Sequence, residues 1–299
     1  MKKIVITSDS GMDPLDEENM IPAIVIKDKK EEYKDIFEIN SHEILEQTKL
    51  GSVFQTTAPC IEDYRKKFVE HLEKGEDVIH LSMSSGISEG SVNTAHFVAE
   101  ELKKDYENKV YVIDSFTGAT GGTLLLELAK DFVRKTKNKE ELIKELQKLE
   151  RRIQTSFYVP NPEGFIRSGR NKSELCFKEK ALLVSAKVFK LASVKFRVDF
   201  NQEGNLYTKA LMRCKTGSGM RKLAEEIISK DNMEDYDPTY AVIGTLEEEK
   251  TSMDDIKEYL ESLHYFKKII RKDINGVVAA YGSPDLGGIS LVKKKKGIL

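Results

Sequence analysis

Residues 77–91 of this 299-residue chain read DVIHLSMSSGISEGS, a short apolar run followed by a segment rich in serine and glycine. The run at 77–82 is typical of a buried β-strand, and from about residue 91 apolar side chains recur at helical spacing. The serines and glycines therefore connect a strand to a helix. Because ligands of open α/β sheets bind where such connections leave the strands, this segment indicates both a fold class and a place for a binding site.

The same alternation of β-branched runs and helical patterns extends over residues 1–155. The predicted strands are residues 3–7, 21–26, 77–82 and 110–113, and the predicted helices follow residues 40, 59, 91, 122 and 139. Alternating strands and helices favour a mostly parallel sheet. We therefore expect an N-terminal α/β domain, flanked by helices, with hydroxyl-rich ligand loops.

In residues 156–299 predicted strands become neighbours in sequence, which favours a mixed sheet with helices. Residues 194–199 and 205–212 flank Gly204 and predict a β-hairpin. Further strands are predicted at residues 156–159, 240–245, 268–271, 277–281 and 289–292, and helices at 179–191, 218–229 and 253–263. The fold class is thus α/β with two domains, and we expect a ligand at the interface between them.

Composition excludes several classes of function. The chain carries 48 Lys and Arg against 50 Asp and Glu, a net charge of −2, which argues against nucleic-acid binding. Cys60, Cys176 and Cys214 lack CxxC spacing, which argues against disulfides and zinc and favours a reducing compartment. Residues 1–9 lack a signal-peptide core, and no stretch reaches about 18 uninterrupted apolar residues. We expect a cytoplasmic protein with no stable membrane insertion and at most transient contact with a membrane surface.

Two hydroxyl-rich segments are candidates for binding an anion. Thr56 and Thr57 precede the helix that follows Pro59, and the unpaired amides of a first helical turn attract anions. The pair serves either as a helix cap or as part of an anion site. Residues 82–91 form either a cradle for a carboxylate or phosphate, which we favour, or a turn with redundant caps.

Other glycine-bearing segments carry weaker signals. Residues 114–122 lack the GxxxxGK[ST] and GxGxxG patterns of nucleotide-binding loops, so their glycines are predicted to allow tight packing of a helix on a strand. Arg170 follows a glycine-bearing turn and either grips a planar anion or forms a salt link between domains. Arg213 ends a predicted strand, and Tyr281 opens a late glycine-rich turn.

The histidines and the metal-binding patterns give no signal for a catalytic or metal site. His80 lies in an apolar strand, which predicts a structural histidine rather than a general base. The chain has no HExxH and no DxDxDG spacing. We therefore predict neither a nucleophilic triad nor a metal site.

The order of these segments resembles the DegV family of bacterial fatty-acid-binding proteins. The resemblance is carried by residues 6–10 (ITSDS), 56–59 (TTAP), 84–95 (SSGISEGSVNTA), 112–115 (VIDS), 169–170 (GR) and Arg213. It implies a two-domain protein that is not an enzyme, has no cofactor and holds one long-chain fatty acid in an apolar interdomain tunnel. It also implies a partner, the ATP-binding subunit of a fatty acid kinase, which phosphorylates the presented carboxylate for phospholipid synthesis.

By this resemblance, Thr56 and Ser88 donate hydrogen bonds to the carboxylate, with Thr57 beside them. Tyr281 stands where the family commonly has a histidine, and Asp285 adds a negative side chain in the same turn. Both departures bear on the geometry of the head group and on the identity of the substrate. Further implied contacts with an anion or the partner are Arg170, Arg213, Ser84, Ser85 and Ser115.

Two functions of other classes stay open. One is a binding module for a different small anion, such as a small acid or a phosphate ester, which Tyr281 in place of histidine favours. The other is a stand-alone phosphotransferase or hydrolase that uses residues 84–91 and turns over substrate without a partner.

Overall fold

The structure is a computed structural model and describes residues 3–136, 138–161, 194–214, 218–246 and 251–294. Strands of the first half are β1 (Ile4–Asp9), β2 (Met20–Ile21), β3 (Ile24–Lys27), β4 (Glu31–Lys34), β5 (Phe54–Thr57), β6 (Asp77–Ser82) and β7 (Val110–Asp114). Its helices are α1 (Ser41–Lys49), α2 (Ile61–Leu72), α3 (Ser85–Leu102), α4 (Thr120–Lys135) and α5 (Lys139–Glu150).

The first sheet has the order β2-β1-β6-β7, and all of its strand pairs are parallel, as predicted. Helices α2 and α3 cover one face through a cluster that includes Tyr64 and Phe68. Helices α4 and α5 cover the other face through a cluster that includes Leu124 and Leu142. Covering both faces explains why β6 is buried at every position.

The predicted strand at residues 21–26 is wrong, because the segment divides between two sheets. β2 pairs with β1, whereas β3 lies in a three-stranded antiparallel sheet of order β4-β3-β5. Pro22 stands between them, and proline has no amide hydrogen to donate to a sheet. The prediction that Thr56 and Thr57 lie in a loop is also wrong, because they end β5, and α2 begins only at Ile61 after its N-cap Cys60.

Strands of the second half are β8 (Ile153–Val159), β9 (Val194–Phe200), β10 (Leu206–Arg213), β11 (Tyr236–Thr245), β12 (Lys268–Asp273) and β13 (Gly287–Lys293). Its described helices are α6 (Gly219–Ile227), α7 (Thr251–Ser262) and α8 (Gly276–Ala279). The sheet order is β10-β9-β8-β13-β11-β12, with only β11 and β12 parallel among the described pairs, so the predicted mixed sheet is confirmed. The domain division at residues 155 and 156 stays a prediction, and the second sheet begins at Ile153.

The predicted strand at residues 277–281 is wrong, because this segment contains α8 and the residues that follow it. The Asp35 carboxylate from the first half faces the amides of Gly276 and Val277 at the start of α8. A carboxylate at that position favours a helical turn, and β-branched composition does not reveal such a contact. The helix predicted at residues 179–191 lies outside the described residues.

Helix α4 lies between the two sheets and joins the halves of the molecule. The Thr120 hydroxyl lies 2.8 Å from that of Ser290 on β13, and the Thr117 hydroxyl lies 3.0 Å from that of Thr155 on β8. A Cβ atom on Gly121 would lie 2.1 Å from the hydroxyl oxygens of Thr117 and Thr155. The packing role predicted for the glycines of residues 118–122 is therefore confirmed. Within the described ranges, no helix is long and apolar enough to span a membrane.

Candidate functional site

Two neighbouring cavities lie where the halves meet. The larger one, the apolar cavity, has an empty volume of about 620 Å³, which includes space open to solvent. Its described lining is Met83, Ile87, Gly118, Ala119, Phe157, Val159, Val198, Phe200, Leu206, Val277, Val278, Tyr281, Gly282 and Leu286. Tyr281 contributes the only hydroxyl group among these side chains. Such a surface suits a hydrocarbon.

The smaller one, the hydroxyl cavity, has an empty volume of about 260 Å³. Its described lining is Asp9, Gly11, Ala23, Thr56, Thr57, Met83, Ser88, Ser91 and Val277. Met83 and Val277 line both cavities, so the polar space adjoins the apolar one. The structure thus brings together Thr56, Thr57 and Ser88, which are distant in sequence.

Tyr281 links the two cavities. The Thr56 amide donates a hydrogen bond to the Tyr281 hydroxyl over 2.8 Å, and the two hydroxyl oxygens lie 3.1 Å apart. Tyr281 follows α8, which the second half presents to β5 of the first half. The tyrosine therefore places a neutral hydroxyl at the boundary between polar and apolar space.

Ser88 lies at a kink in α3, where its backbone leaves helical geometry with φ −134° and ψ 72°. Its hydroxyl oxygen is 2.7 Å from that of Ser91. The helix starts at Ser85 rather than near residue 91, so the prediction of a long serine loop is wrong. Local capping decides this start, because the Ser84 hydroxyl accepts a hydrogen bond from the Gly86 amide.

The structure does not bring the other predicted serines to either cavity. The Ser84 hydroxyl donates over 2.7 Å to the Gly204 carbonyl in the β9–β10 turn and so ties the halves together. The Ser85 amide donates to the Asp114 carboxylate, and the buried Ser115 hydroxyl donates to the Thr117 carbonyl. None of the three serines lines either cavity, and their predicted contact with an anion or a partner stays a prediction.

The predicted arginines are likewise not part of the described cavity walls. Arg213 is exposed at the end of β10, an edge strand, and lines neither cavity. Arg170 lies outside the described residues. Asp285 is half-buried in the turn after Tyr281 and also lines neither cavity. In the described lining of the hydroxyl cavity, donors to an anion are therefore neutral groups.

Asp9 belongs to this site although the sequence analysis did not select it. It is the last residue of β1, is 1% exposed and lines the hydroxyl cavity. Its Oδ2 accepts hydrogen bonds from the Met83 amide over 2.8 Å and from the Ser82 hydroxyl over 3.1 Å. Burial raises the pKa of Asp9 to about 6, although these donors oppose the shift. The sequence feature that could have identified Asp9 is its position at the carboxyl end of a predicted parallel strand, where ligands of α/β sheets bind.

Two further buried acids, Asp13 and Asp35, position α8 and hence Tyr281. The Asn275 amide donates to Asp13 over 3.0 Å, and the Asn275 side chain donates to the Ser10 carbonyl over 3.1 Å. Burial raises the pKa of Asp13 to about 7, which the nearby Lys272 ammonium opposes, and raises the pKa of Asp35 to about 6. These contacts fix the start of α8 on the first half.

His80 has the structural environment predicted for it. Its Nδ1 lies 3.0 Å from the Thr7 hydroxyl, and its ring stands edge-on to Tyr64 and Phe68. Burial lowers the pKa of His80 to about 3, so the ring is neutral at physiological pH. Among residues with described positions, no group of three or more His, Cys, Asp or Glu side chains is arranged to hold a metal ion.

Known proteins resemble this chain over most of its length. The family model described as "Uncharacterised protein, DegV family" matches residues 3–294. A DegV domain-containing protein of Streptococcus pyogenes serotype M3 is 25% identical over 248 residues, which are 83% of this chain and 80% of that protein.

Solved structures of two relatives have the same fold. A DegV family protein from Thermus thermophilus, described by its fatty acid binding, is 23% identical with a TM-score of 0.80, over 98% of this chain and 100% of that one. A DegV family protein from Eubacterium eligens, loaded with heptadecanoic acid, is 17% identical with a TM-score of 0.80, over 97% and 100% of the two chains. The family match spans nearly all of the sequence, and this chain therefore belongs to the DegV family.

Proposed function

We propose that this protein binds one long-chain fatty acid at the junction of its halves, with the acyl chain in the apolar cavity and the carboxylate in the hydroxyl cavity. The observation that carries the proposal is the contact between the two spaces at Met83 and Val277. A fatty acid has the same division into a long apolar part and a small polar end. The fatty acids bound by the Thermus thermophilus and Eubacterium eligens relatives support this choice of ligand.

The free energies of the two kinds of contact indicate that the two cavities have different roles in binding. Burying about 14 methylenes at roughly 0.8 kcal/mol each releases on the order of 11 kcal/mol of gross transfer free energy. Part of that free energy is lost because binding orders the ligand. A hydrogen bond to a charged carboxylate contributes only about 1.5–3 kcal/mol. The acyl chain therefore sets the affinity, and Thr56, Thr57 and Ser88 set the orientation.

We further propose that the protein is a binding subunit without catalytic activity, which presents the carboxylate to a separate ATP-dependent fatty acid kinase. The resemblance of the sequence to the DegV family supports this role. Thr57 is exposed and Thr56 and Ser88 are half-buried, so the carboxylate end lies near the surface, where a partner has access. Because the partner consumes ATP, we assign the reaction to the cytoplasm and its product to phospholipid synthesis.

Lipid analysis tests the binding proposal. We expect organic-solvent extraction of the purified protein and mass spectrometry to find about one long-chain fatty acid per chain. We also expect the lipid-free protein to regain thermal stability when palmitate is added, because a ligand that binds only the native state stabilises it. An empty protein that responds to small acids or phosphate esters but not to palmitate would instead indicate a module for another anion.

The kinase proposal needs a separate assay. The palmitate-loaded protein is mixed with ATP, Mg²⁺ and the purified ATP-binding subunit of a fatty acid kinase, and acyl phosphate is trapped with hydroxylamine. We expect hydroxamate only in the complete mixture. ATP consumption or product formation by this chain alone would indicate a stand-alone phosphotransferase or hydrolase and contradict the proposal.

A further inference from the structure

The side chain of Met83 lies at the boundary between the two cavities. Met83 follows β6 directly and is 7% exposed. A Cβ atom on Gly11 would lie 2.5 Å from the Met83 sulfur, and one on Gly118 would lie 3.2 Å from its terminal methyl carbon. Gly11 lines the hydroxyl cavity, and Gly118 lines the apolar cavity. The Met83 side chain therefore extends along the wall from one cavity to the other.

The two glycines also limit how far Met83 can move. They follow β1 and β7, the strands on either side of β6 in the first sheet. Methionine side chains are flexible in general. Here the backbone of both turns stands so close behind the side chain that an added Cβ atom would crowd it. Met83 therefore has little room to retreat from a ligand in the cavities.

Val277 is the other residue that borders both cavities in their described linings. It lies in α8 of the second half and is 4% exposed. The contacts of Asp13 and Asp35 fix the start of that helix, and a β-branched side chain has little rotational freedom. A ligand with its carboxylate in the hydroxyl cavity and its tail in the apolar cavity has to pass Met83 and Val277.

The carbon atoms next to the carboxylate are the ones that lie at this boundary. Both side chains are buried there, so a methyl group on those carbons finds space only if the protein moves. Extra methylenes in a packed site force side chains out of their preferred rotamers. Pockets distinguish ligands that differ by one methylene by about 10–200-fold. The boundary is therefore a place where the structure of the acyl chain is selected.

We propose that Met83 is a specificity-determining residue, which excludes fatty acids branched at carbon 2 or carbon 3. This inference rests on the proposed function. The accepted ligands are fatty acids whose first carbons carry no substituent. Met83 acts by its volume, since its side chain carries no charge, and the neutral donors Thr56 and Ser88 keep their role in orienting the carboxylate.

The first test compares two isomers in the wild-type protein, 2-methylhexadecanoic acid and 10-methylhexadecanoic acid, with palmitate as the reference. The isomers have the same composition, so only the position of the branch differs. We expect the Kd of the 2-methyl isomer to be about tenfold or more above that of the 10-methyl isomer. This measurement needs no variant.

The second test uses Met83→Ala, which removes three heavy atoms from the boundary. We expect the ratio of the two Kd values to fall to about threefold or less, because the branch at carbon 2 then has space. Palmitate should also bind more weakly, because the wall loses apolar contacts. Leu206→Ala is the matched control, since it removes three heavy atoms from a residue that lines the apolar cavity alone. It should weaken binding of both isomers and keep the wild-type ratio.

Equal Kd values for the two isomers in the wild-type protein would overturn the selectivity. A ratio that stays at the wild-type value in folded Met83→Ala, or that falls as far in Leu206→Ala, would overturn the role of Met83. Failure of the wild-type protein to bind palmitate would instead overturn the proposed function.

Discussion

At the scale of single residues, the head-group site depends on small neutral side chains held in place by the backbone around them. Thr56 is fixed by antiparallel pairing with Val25, and Ser88 by the kink of α3. Because these hydroxyls lie on secondary structure that does not need them for stability, their removal should affect ligand binding more than folding.

Thr56→Ala and Ser88→Ala each remove one proposed donor to the carboxylate. We expect palmitate to bind about tenfold or more weakly, since a hydrogen bond to a charged group contributes roughly 1.5–3 kcal/mol. The free energy of unfolding of the lipid-free protein should change little, as measured by urea titration. Thr48→Ala and Ser262→Ala are controls, because these exposed hydroxyls bond only to their own helices. Wild-type retention of lipid in both site variants would contradict the assignment.

Tyr281→Phe removes the hydroxyl that accepts a hydrogen bond from the Thr56 amide and keeps the ring that lines the apolar cavity. We expect palmitate affinity to fall by about fivefold to tenfold, the effect of one hydrogen bond of roughly 1 kcal/mol. Hexadecane, which has no head group, should compete for the cavity equally well in both proteins. Tyr207→Phe on β10 is the matched control, and an equal loss in the control would mean that the effect is not local.

At the scale of elements, three segments carry the site: the end of β5, the kinked start of α3, and α8 with Tyr281. Each makes a contact between the halves. The Thr56 amide on β5 donates to the Tyr281 hydroxyl, the Ser84 cap of α3 reaches the β9–β10 turn, and the start of α8 meets Asp35 and Asp13. The elements therefore have to dock closely before the cavities exist.

Gly121→Ala tests this close docking. The added Cβ atom would lie 2.1 Å from the hydroxyl oxygens of Thr117 and Thr155, so the helix or the strand has to move. We expect a loss of about 1–3 kcal/mol in the free energy of unfolding, the usual cost of overpacking. Gly90→Ala is the control, because its Cβ would meet Ala58 at 3.4 Å, and a helical Ala is more stable than Gly. Equal stability of the two variants would contradict the packing argument.

At the scale of the whole molecule, buried acids near the junction make stability depend on pH. Burial raises the pKa of Asp9, Asp13 and Asp35 to about 6, 7 and 6, whereas the ordinary value is 3.8. The native state therefore holds these protons more tightly than the unfolded state between about pH 4 and pH 7, so their contribution to stability is lost as pH rises through this window. His80 acts in the opposite direction below pH 6.5, because burial lowers its pKa to about 3.

The three acids outnumber the one histidine, so we expect the free energy of unfolding of the lipid-free protein to fall as pH rises from about 4 to 7. Asp13→Asn should make this fall shallower by about one proton, because the amide keeps an oxygen for the Asn275 amide and does not titrate. Urea titrations at several pH values provide the measurement. A wild-type stability that increases across the window would contradict the prediction.

Individual helices and strands could be predicted from polarity patterns that are directly visible in the sequence. The apolar run of β6 and the helical spacing that starts in α3 depend on side-chain polarity alone, and so does the β9–β10 hairpin around Gly204. Two predicted strands were wrong for different reasons. Pro22 within the segment divides residues 21–26 between two sheets, whereas at residues 277–281 the distant Asp35 supports a helical turn although Val277 and Val278 favour a strand.

By itself the sequence determined the α/β class, the parallel first sheet, the mixed second sheet and the hydroxyl-rich segments, because periodicity and composition encode local structure and burial. Only the tertiary structure decided which of those hydroxyls meet. It brought Thr56 and Ser88 to one cavity with Asp9, whereas Ser84, Ser85 and Ser115 line neither cavity. The reason is that a cavity forms from the packing of elements far apart in the chain, and no local pattern records which side chains that packing leaves uncovered.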